Sequence, residues 1–291
     1  MSALAPRASV VVSTFEQPRS LELTLLGYRL QSVAGFEVVV ADDGSGPETA
    51  EVVRRAGEDG LRVLHVWQED KGFRKTEALD RAILASSGEY LIFTDGDCVP
   101  RRDFVETHLR LAERHRFLSG GYLKLSEETS RAVDAGAVVA GLAFDAAWLR
   151  ARGYRPGRRR SRLTKSRSLA SLLDAVTPTR PTWNGHSSST WRDHVFAVNG
   201  FDLGAGYGGE DAVVGIRLEN LGVRGKQVRH RAVCVHLHHD RPYADPDARR
   251  LSRARRAGVR ARREVRAARG LAELDPIDAP AGARGGAGGR A

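Results

Sequence analysis

Short valine-rich runs recur through the first hundred residues, and a stretch of helical periodicity follows each of the first three. Residues 9–13, 36–41, 61–66 and 90–94 read as strands; 18–31, 47–56 and 75–85 read as helices. Strands separated by whole helices pair most readily in parallel, because a parallel crossover needs about that length of chain. The runs are continuously apolar rather than alternating, the pattern of strands covered on both faces. The expected fold class is therefore α/β, with a mostly parallel central sheet flanked by helices. Sheets of this kind bind ligands at the carboxyl ends of their strands.

With 291 residues and 41% hydrophobic content, the chain can bury a substantial core. The opening Met-Ser-Ala-Leu-Ala-Pro-Arg leads into a valine run too short for a secretory segment, and no apolar stretch approaches bilayer length. A cytoplasmic protein is expected. Cys98 and Cys234 share no metal or redox spacing and are expected to be reduced and buried. The formal charge of +10 is concentrated: residues 249–269 hold ten arginines against Glu264, leaving the rest nearly neutral. There Leu251, Ala254, Gly258, Ala261, Val265, Ala268 and Leu271 fall at three- and four-residue steps, which predicts a narrow apolar stripe on a basic helix. Residues 281–291 can bury almost nothing and are expected to be disordered.

Further along, 102–115 reads as a helix and 116–125 as one strand, while 126–175 is helical and irregular. Arg-Pro-Gly-Arg-Arg-Arg at 155–160 predicts an exposed, mobile loop. The expected organisation is one domain in two halves, 1–97 and 98–240, followed by a basic helical, partly disordered tail (241–291).

Four constellations carry chemistry. The run at 90–99 ends in Asp95 and Asp97 with one glycine between them. Such a pair suits a magnesium or manganese ion, which takes one or two protein carboxylates and fills its shell from a diphosphate and water. Asp42 and Asp43 end the second strand run in the same way, which would bring both pairs to one rim of the sheet; alternatively they only shape the Gly44 turn and cap the next helix. Gly204-Ala-Gly-Tyr-Gly-Gly-Glu-Asp211 delivers Glu210 and Asp211 at a predicted helix start, where capping and general-base roles both fit. In Val235-His-Leu-His-His-Asp240 one histidine could complete a metal shell, and spacing does not say which.

Together these segments resemble the family 2 glycosyltransferases of the nucleotide-diphospho-sugar-binding GT-A fold, with a C-terminal portion similar to the catalytic region of β-1,4-galactosyltransferases. The matching stretches are VVVSTFEQP (10–18), VVVADDGSGPET (38–49), HVWQEDKGFRKTEALDRA (65–82), GEYLIFTDGDCVPRRDF (88–104) and VNGFDLGAGYGGEDAVVGIRLENLG (198–222). Five motifs in this order are far more specific than any one alone. The resemblance implies that Ser13, Thr14 and Glu16 hold the nucleotide, that Asp42, with Asp43 beside it, binds uracil or ribose, and that Gly72, Phe73, Arg74 and Lys75 lie near it. Asp95 and Asp97 match the metal-binding motif for Mn2+ or Mg2+, with Asp97 the more direct ligand and His236 or His239 joining it. Glu210 and Asp211 match the pair that binds and deprotonates the acceptor, so the resemblance makes 1–97 the nucleotide-sugar-binding half and 98–240 the acceptor-binding and catalytic half of the same domain. Three positions depart from the pattern: Tyr207 stands for a common tryptophan, Asp80 for asparagine and Ala212 for an acid.

The expected activity is transfer of a sugar from a nucleotide diphosphate donor, a UDP-sugar by resemblance, to a hydroxyl of a glycan or lipid-linked acceptor. Asp211 would act as base in a single inverting displacement, with the metal and Arg74 or Lys75 stabilising the departing diphosphate. A sugar-nucleotide nucleotidyltransferase would carry a glycine-rich basic loop where this chain reads Ser-Thr-Phe-Glu-Gln-Pro. A nucleic-acid-binding protein would leave the acidic motifs unexplained, and the arginines at 249–269 are not interleaved with aromatics, so no nucleic-acid partner is expected. Those arginines suit peripheral contact with the inner face of the plasma membrane, or else a solvated helix. Residues 155–167 either meet an anionic acceptor or form a solvated insertion, and Trp183 and Trp191 either stack on sugars or fill the core.

Overall fold

The computed structural model describes residues 7–155, 157–206, 208–239 and 246–274. The tail at 281–291, expected to be disordered, lies outside them, as does Tyr207. The strands are β1 (Ala8–Thr14), β2 (Phe36–Asp42), β3 (Val63–Trp67), β4 (Tyr90–Asp95), β5 (Cys98–Pro100), β6 (Arg116–Ser119), β7 (Gly121–Lys124), β8 (Ser188–Trp191), β9 (Arg224–Gln227) and β10 (Val233–His236). Among the described residues they form one sheet in the order β3-β2-β1-β4-β8-β6-β9 and a smaller one in the order β5-β10-β7. Only β8 runs antiparallel to its neighbours in the large sheet, so the expected mostly parallel α/β architecture is what forms.

The valine runs are covered on both faces. Val10, Val12, Val38 and Val40 enter one core with Leu21, Leu25 and Tyr28 of helix Pro18–Arg29. Val11 and Val39 point the other way, into a core with Leu79, Ala82 and Ile83 of helix Lys75–Ala85. Period-two alternation thus divides one apolar run between two cores, and full burial of each side chain stabilises by about 1.5–3 kcal/mol as an upper bound. Proline opens helices Pro18–Arg29 and Pro47–Glu58 where its missing N–H would be unpaired anyway. In-register pairing of Ser13 with Asp95 and of Thr14 with Asp42 ends β1, β2 and β4 level, which builds one rim for the loops that follow.

Four expectations change. The strand expected over 116–125 breaks at Gly120 into β6 and β7, which belong to different sheets. A Cβ at Gly120 would stand 1.9 Å from Ser187 Oγ, so the crossing between sheets uses the space only a glycine leaves. The helix expected over 102–115 is confined to Phe104–Leu111. The 155–160 loop leads into a 3-10 helix, Gly157–Leu163, where Arg162 Nη1 donates to the Tyr122 carbonyl. The stripe from Leu251 to Leu271 does not share one helix: Pro246–Ala261 ends where the Asn220 amide donates to the carbonyls of Val259 and Glu264. Leu251 stays 62% exposed, while Val259 packs on Val213 and Ile216 of helix Glu210–Leu221, and Leu271 enters the core with Val198 and Phe201.

Several polar residues are structural. Ser187, Ser188 and Ser189 are buried; Ser189 Oγ lies 2.7 Å from His108 Nδ1 and 2.8 Å from the Tyr90 hydroxyl. Asp80 is fully buried beneath Phe201 N, which donates to it at 2.9 Å, and burial raises its pKa well above the usual carboxylate value. Trp183 fills the core between Phe93 and Phe117, and Trp191 packs on Tyr90 with the Arg114 guanidinium over its ring. Both cysteines are free and buried. Among the described residues no helix is long and apolar enough to cross a membrane.

Candidate active site

A cleft of about 520 Å3 opens at the carboxyl ends of β1, β2 and β4. The second half of the chain closes it, with Gly208–Asp211 at the start of helix Glu210–Leu221, His236 at the end of β10 and His239 beyond it. Most of the residues singled out in the sequence meet here: Ser13, Thr14, Asp43, Gly72, Phe73, Lys75, Asp95, Asp97, Glu210, Asp211, His236 and His239 all line the cleft.

Three do not. Asp42 is fully buried; it accepts from Ser45 N at 2.8 Å and meets His65 Nε2 at 2.8 Å. Burial opposes its charge, but these donors outweigh burial and hold its pKa below the ordinary value. Its place is inside the turn, and the adjacent Asp43 is the acid facing the cleft. Glu16 accepts from Gly46 N at 2.7 Å, tying the loop after β1 to the start of helix Pro47–Glu58. Arg74 pairs with Glu77 at 3.1 Å, and its backbone N–H donates to Asp43 at 2.8 Å. Burial raises the pKa of Asp43 in spite of that bond and one from Gln68.

The two acids of the Asp-Gly-Asp turn go separate ways. Asp95 Oδ1 accepts from Lys75 Nζ and Ser13 Oγ, both at 2.8 Å. Burial opposes its ionisation, yet Lys75 and Ser13 keep its pKa well below the usual range. Asp97 turns toward the histidines, its Oδ2 lying 3.1 Å from His239 Nε2 and 3.7 Å from His236 Nε2. His236 Nδ1 sits 2.7 Å from the Leu237 carbonyl, which can only accept, so Nδ1 is the donor there and Nε2 is the nitrogen turned toward Asp97. Each imidazole thus stands beside the Asp97 carboxylate, and oxygen with imidazole nitrogen is donor chemistry that manganese accepts. Cys98 also offers its sulfur beside Asp97 and His236, but burial raises its pKa well above the ordinary thiol value, and a hard ion prefers oxygen and nitrogen.

Lys75 links this half of the site to the other. Burial works against its charge, but Asp95, Asp211 and Glu210 outweigh burial and raise its pKa above that of an ordinary lysine. Glu210 accepts from Gly208 N at 2.9 Å, a tie that holds the turn in which Gly208 and Gly209 take φ of 100° and 104°. For Asp211, burial is the largest influence; reinforced by Glu210 and Asp95 and opposed by Lys75, it pushes the pKa up to about 7. Its Oδ1 is buried without a hydrogen-bond partner. A carboxylate poised near neutrality with an unused acceptor oxygen can take a proton from a hydroxyl placed in the cleft.

Local pattern did not reveal Gly185, which lies against Asp211. A Cβ there would stand 2.7 Å from Asp211 Oδ2. Position 185 reaches position 211 because helix Glu210–Leu221 packs on the segment ahead of β8, with Val214, Gly215 and Leu218 against Trp183, which no local spacing announces. Gly185→Ala is expected to displace Asp211 and lower kcat on the order of 100-fold, the effect of misplacing a reacting group by about 1 Å. The check is a kinetic assay alongside a thermal melt; a displaced carboxylate lowers kcat while the fold persists.

Residues 9–167, more than half of the chain, match the profile of the family described as Glycosyl transferase family 2. Validoxylamine A glucosyltransferase of Streptomyces hygroscopicus subsp. jinggangensis (strain 5008) is 37% identical over 106 residues, which are 36% of this chain and 25% of the relative. The chain thus spans about a quarter of the length of that relative. Among solved structures, the mannosyltransferase PcManGT from Pyrobaculum calidifontis in complex with GDP-Man and Mn2+ aligns with a TM-score of 0.56 at 22% identity, over 88% of this chain and 63% of that one. TarS 1-349 of S. aureus in complex with UDP-GlcNAc aligns with a TM-score of 0.54 at 15% identity, over 81% of this chain and 60% of that one. At these identities the likeness is one of fold.

Proposed function

This chain belongs to glycosyl transferase family 2, and from that premise we propose that it moves a sugar from a nucleotide diphosphate donor to a hydroxyl of a glycan or lipid-linked acceptor, with inversion. One observation carries the reading: a single cleft holds a metal-compatible cluster at Asp97 and a near-neutral carboxylate at Asp211, with Lys75 between them. Ser13, Thr14 and Asp43 receive the nucleotide, and Phe73 flanks it. Asp97, His239 and His236 would hold Mn2+ or Mg2+, and Asp95 is kept ionised beside them by Lys75. A bound divalent ion supplies charge neutralisation for the departing diphosphate. Lys75 adds a fixed cation in the same region, and Asp211 accepts the acceptor's proton as the hydroxyl oxygen attacks the anomeric carbon.

The test is a panel of UDP- and GDP-sugars, scored for manganese-dependent hydrolysis and for protection against thermal unfolding. A donor that raises Tm only with the metal present is the expected hit; a panel with no protection and no turnover would remove the reading. Asp97→Asn and His239→Gln are each expected to weaken Mn2+ binding by at least about tenfold, measured by calorimetry. Unchanged affinity in both would move the metal elsewhere. For peripheral membrane contact through 249–269, the exposed arginines supply charge, whereas Val259 and Ala267 are spent inside the fold.

A further inference from the structure

Helix Arg167–Val176 has a docked side and an outward side. One side docks: Ala170 and Asp174 are buried, and Asp174 accepts from His230 N at 2.9 Å and from Arg231 Nε at 2.6 Å. The other side presents Leu169, Leu172 and Val176, which are 45%, 58% and 62% exposed. At i, i+3 and i+7 they stand on one stripe. Large aliphatic side chains gathered this way in water mark a contact surface.

Charge identifies the partner. The segment leading into the helix, 155–167, carries seven basic residues and no acid, and Arg155, Arg159, Arg160 and Lys165 are exposed. Beside it, Arg167 and Ala170 form part of the wall of a cavity of about 380 Å3. The rest of that wall includes Arg110, Arg162 and Arg231, and among the described residues Asp103 is the one acid lining it. Arg167 and Arg231 are paired with Glu106 and Asp174, but Arg155, Arg159, Arg160 and Lys165 face solvent, and an apolar stripe beside such a basic run matches a bilayer with anionic headgroups, where aliphatic side chains enter the acyl boundary and arginines meet phosphates. None of these residues lines the candidate active site.

We propose that the surface formed by Leu169, Leu172 and Val176, with the basic run ahead of them, seats the protein on an anionic phospholipid membrane. The inference goes beyond the proposed activity and does not depend on it. It also separates the apolar anchor from the arginines at 249–269.

The test is flotation of the full chain with vesicles of phosphatidylcholine alone or mixed with phosphatidylglycerol. Binding is expected to the anionic vesicles and to fall as salt rises. Leu169→Ser with Leu172→Ser is expected to lower the partition coefficient by at least about tenfold. Arg160→Gln with Lys165→Gln should lower it and flatten the salt dependence. As a readout that does not rely on loss of binding, Leu172→Trp should show a blue-shifted difference spectrum, quenched by brominated lipid, when anionic vesicles are added. The proposal is overturned if the wild-type chain ignores anionic vesicles, if the double serine variant floats like wild type, or if the emission of the Leu172→Trp variant does not move. It is likewise overturned if gel filtration without lipid shows a concentration-dependent dimer that the serine variant abolishes, because a second copy would then cover the stripe.

Discussion

Asp211→Asn is expected to lower kcat/KM by about 100- to 10,000-fold while leaving donor and Mn2+ affinity as in the wild type. Asparagine keeps the shape of the side chain beside Gly185 but cannot accept a proton. Because burial places the pKa of Asp211 at about 7, wild-type kcat/KM should rise with pH through that value as the carboxylate forms. The variant's residual activity should lack this limb. The same shift fixes the sign of a stability effect. The folded chain retains the Asp211 proton at pH values where the unfolded chain has released it. Stability is therefore lost as pH rises from the ordinary carboxylate range toward about 7. Asp211→Asn should accordingly raise Tm at pH 8 and change it little at pH 4. Equal loss of donor binding would show that Asp211 belongs to the donor subsite; a pH limb that survives the substitution would assign the base to another group.

Lys75→Met carries the second large effect. The Lys75 ammonium lies 2.8 Å from Asp95 and is surrounded further by Asp211 and Glu210. Without it the carboxylates face one another in a partly desolvated cleft, and removing one partner from a buried pair typically costs about 3–5 kcal/mol. Because the Lys75 and Asp95 side chains are 21% and 26% exposed, the loss should fall near about 3 kcal/mol. Urea unfolding would measure it. Lys75 lowers the pKa of Asp211, so the activity limb should also move to higher pH in the variant. Lys75→Arg, which keeps the charge but not the shape, should recover the stability more fully than the rate. A limb that stays in place or moves to lower pH would mean that Lys75 does not act on the base.

Legibility followed distance along the chain. Strands β1 to β4 and helix Lys75–Ala85 could be read because an apolar period is a property of neighbouring residues. The Asp-Gly-Asp turn and the Gly-Gly-Glu-Asp turn were readable for the same reason. The pattern could not separate the acids within a pair. Asp42 and Asp43 are adjacent in sequence, yet one closes a buried turn with Ser45 and His65 while the other faces the cleft. Asp95 and Asp97 diverge likewise, one toward Lys75 and the other toward His239. The basic segment misled in another way, since its small and aliphatic residues keep helical spacing past the point where Asn220 stops the helix.

Periodicity and turn chemistry alone prescribed a parallel α/β sheet with acids at its carboxyl rim, because those signals arise within a few residues and need no partner. Partnership depended on packing. Gly185 meets Asp211 once helix Glu210–Leu221 has packed on Trp183, and Asp97 meets His239 once β10 has paired with β5. The same burial that brings them together lifts Asp211 to about 7. Desolvation depends on everything around a group, and so the chemistry of that carboxylate exists only in the folded chain.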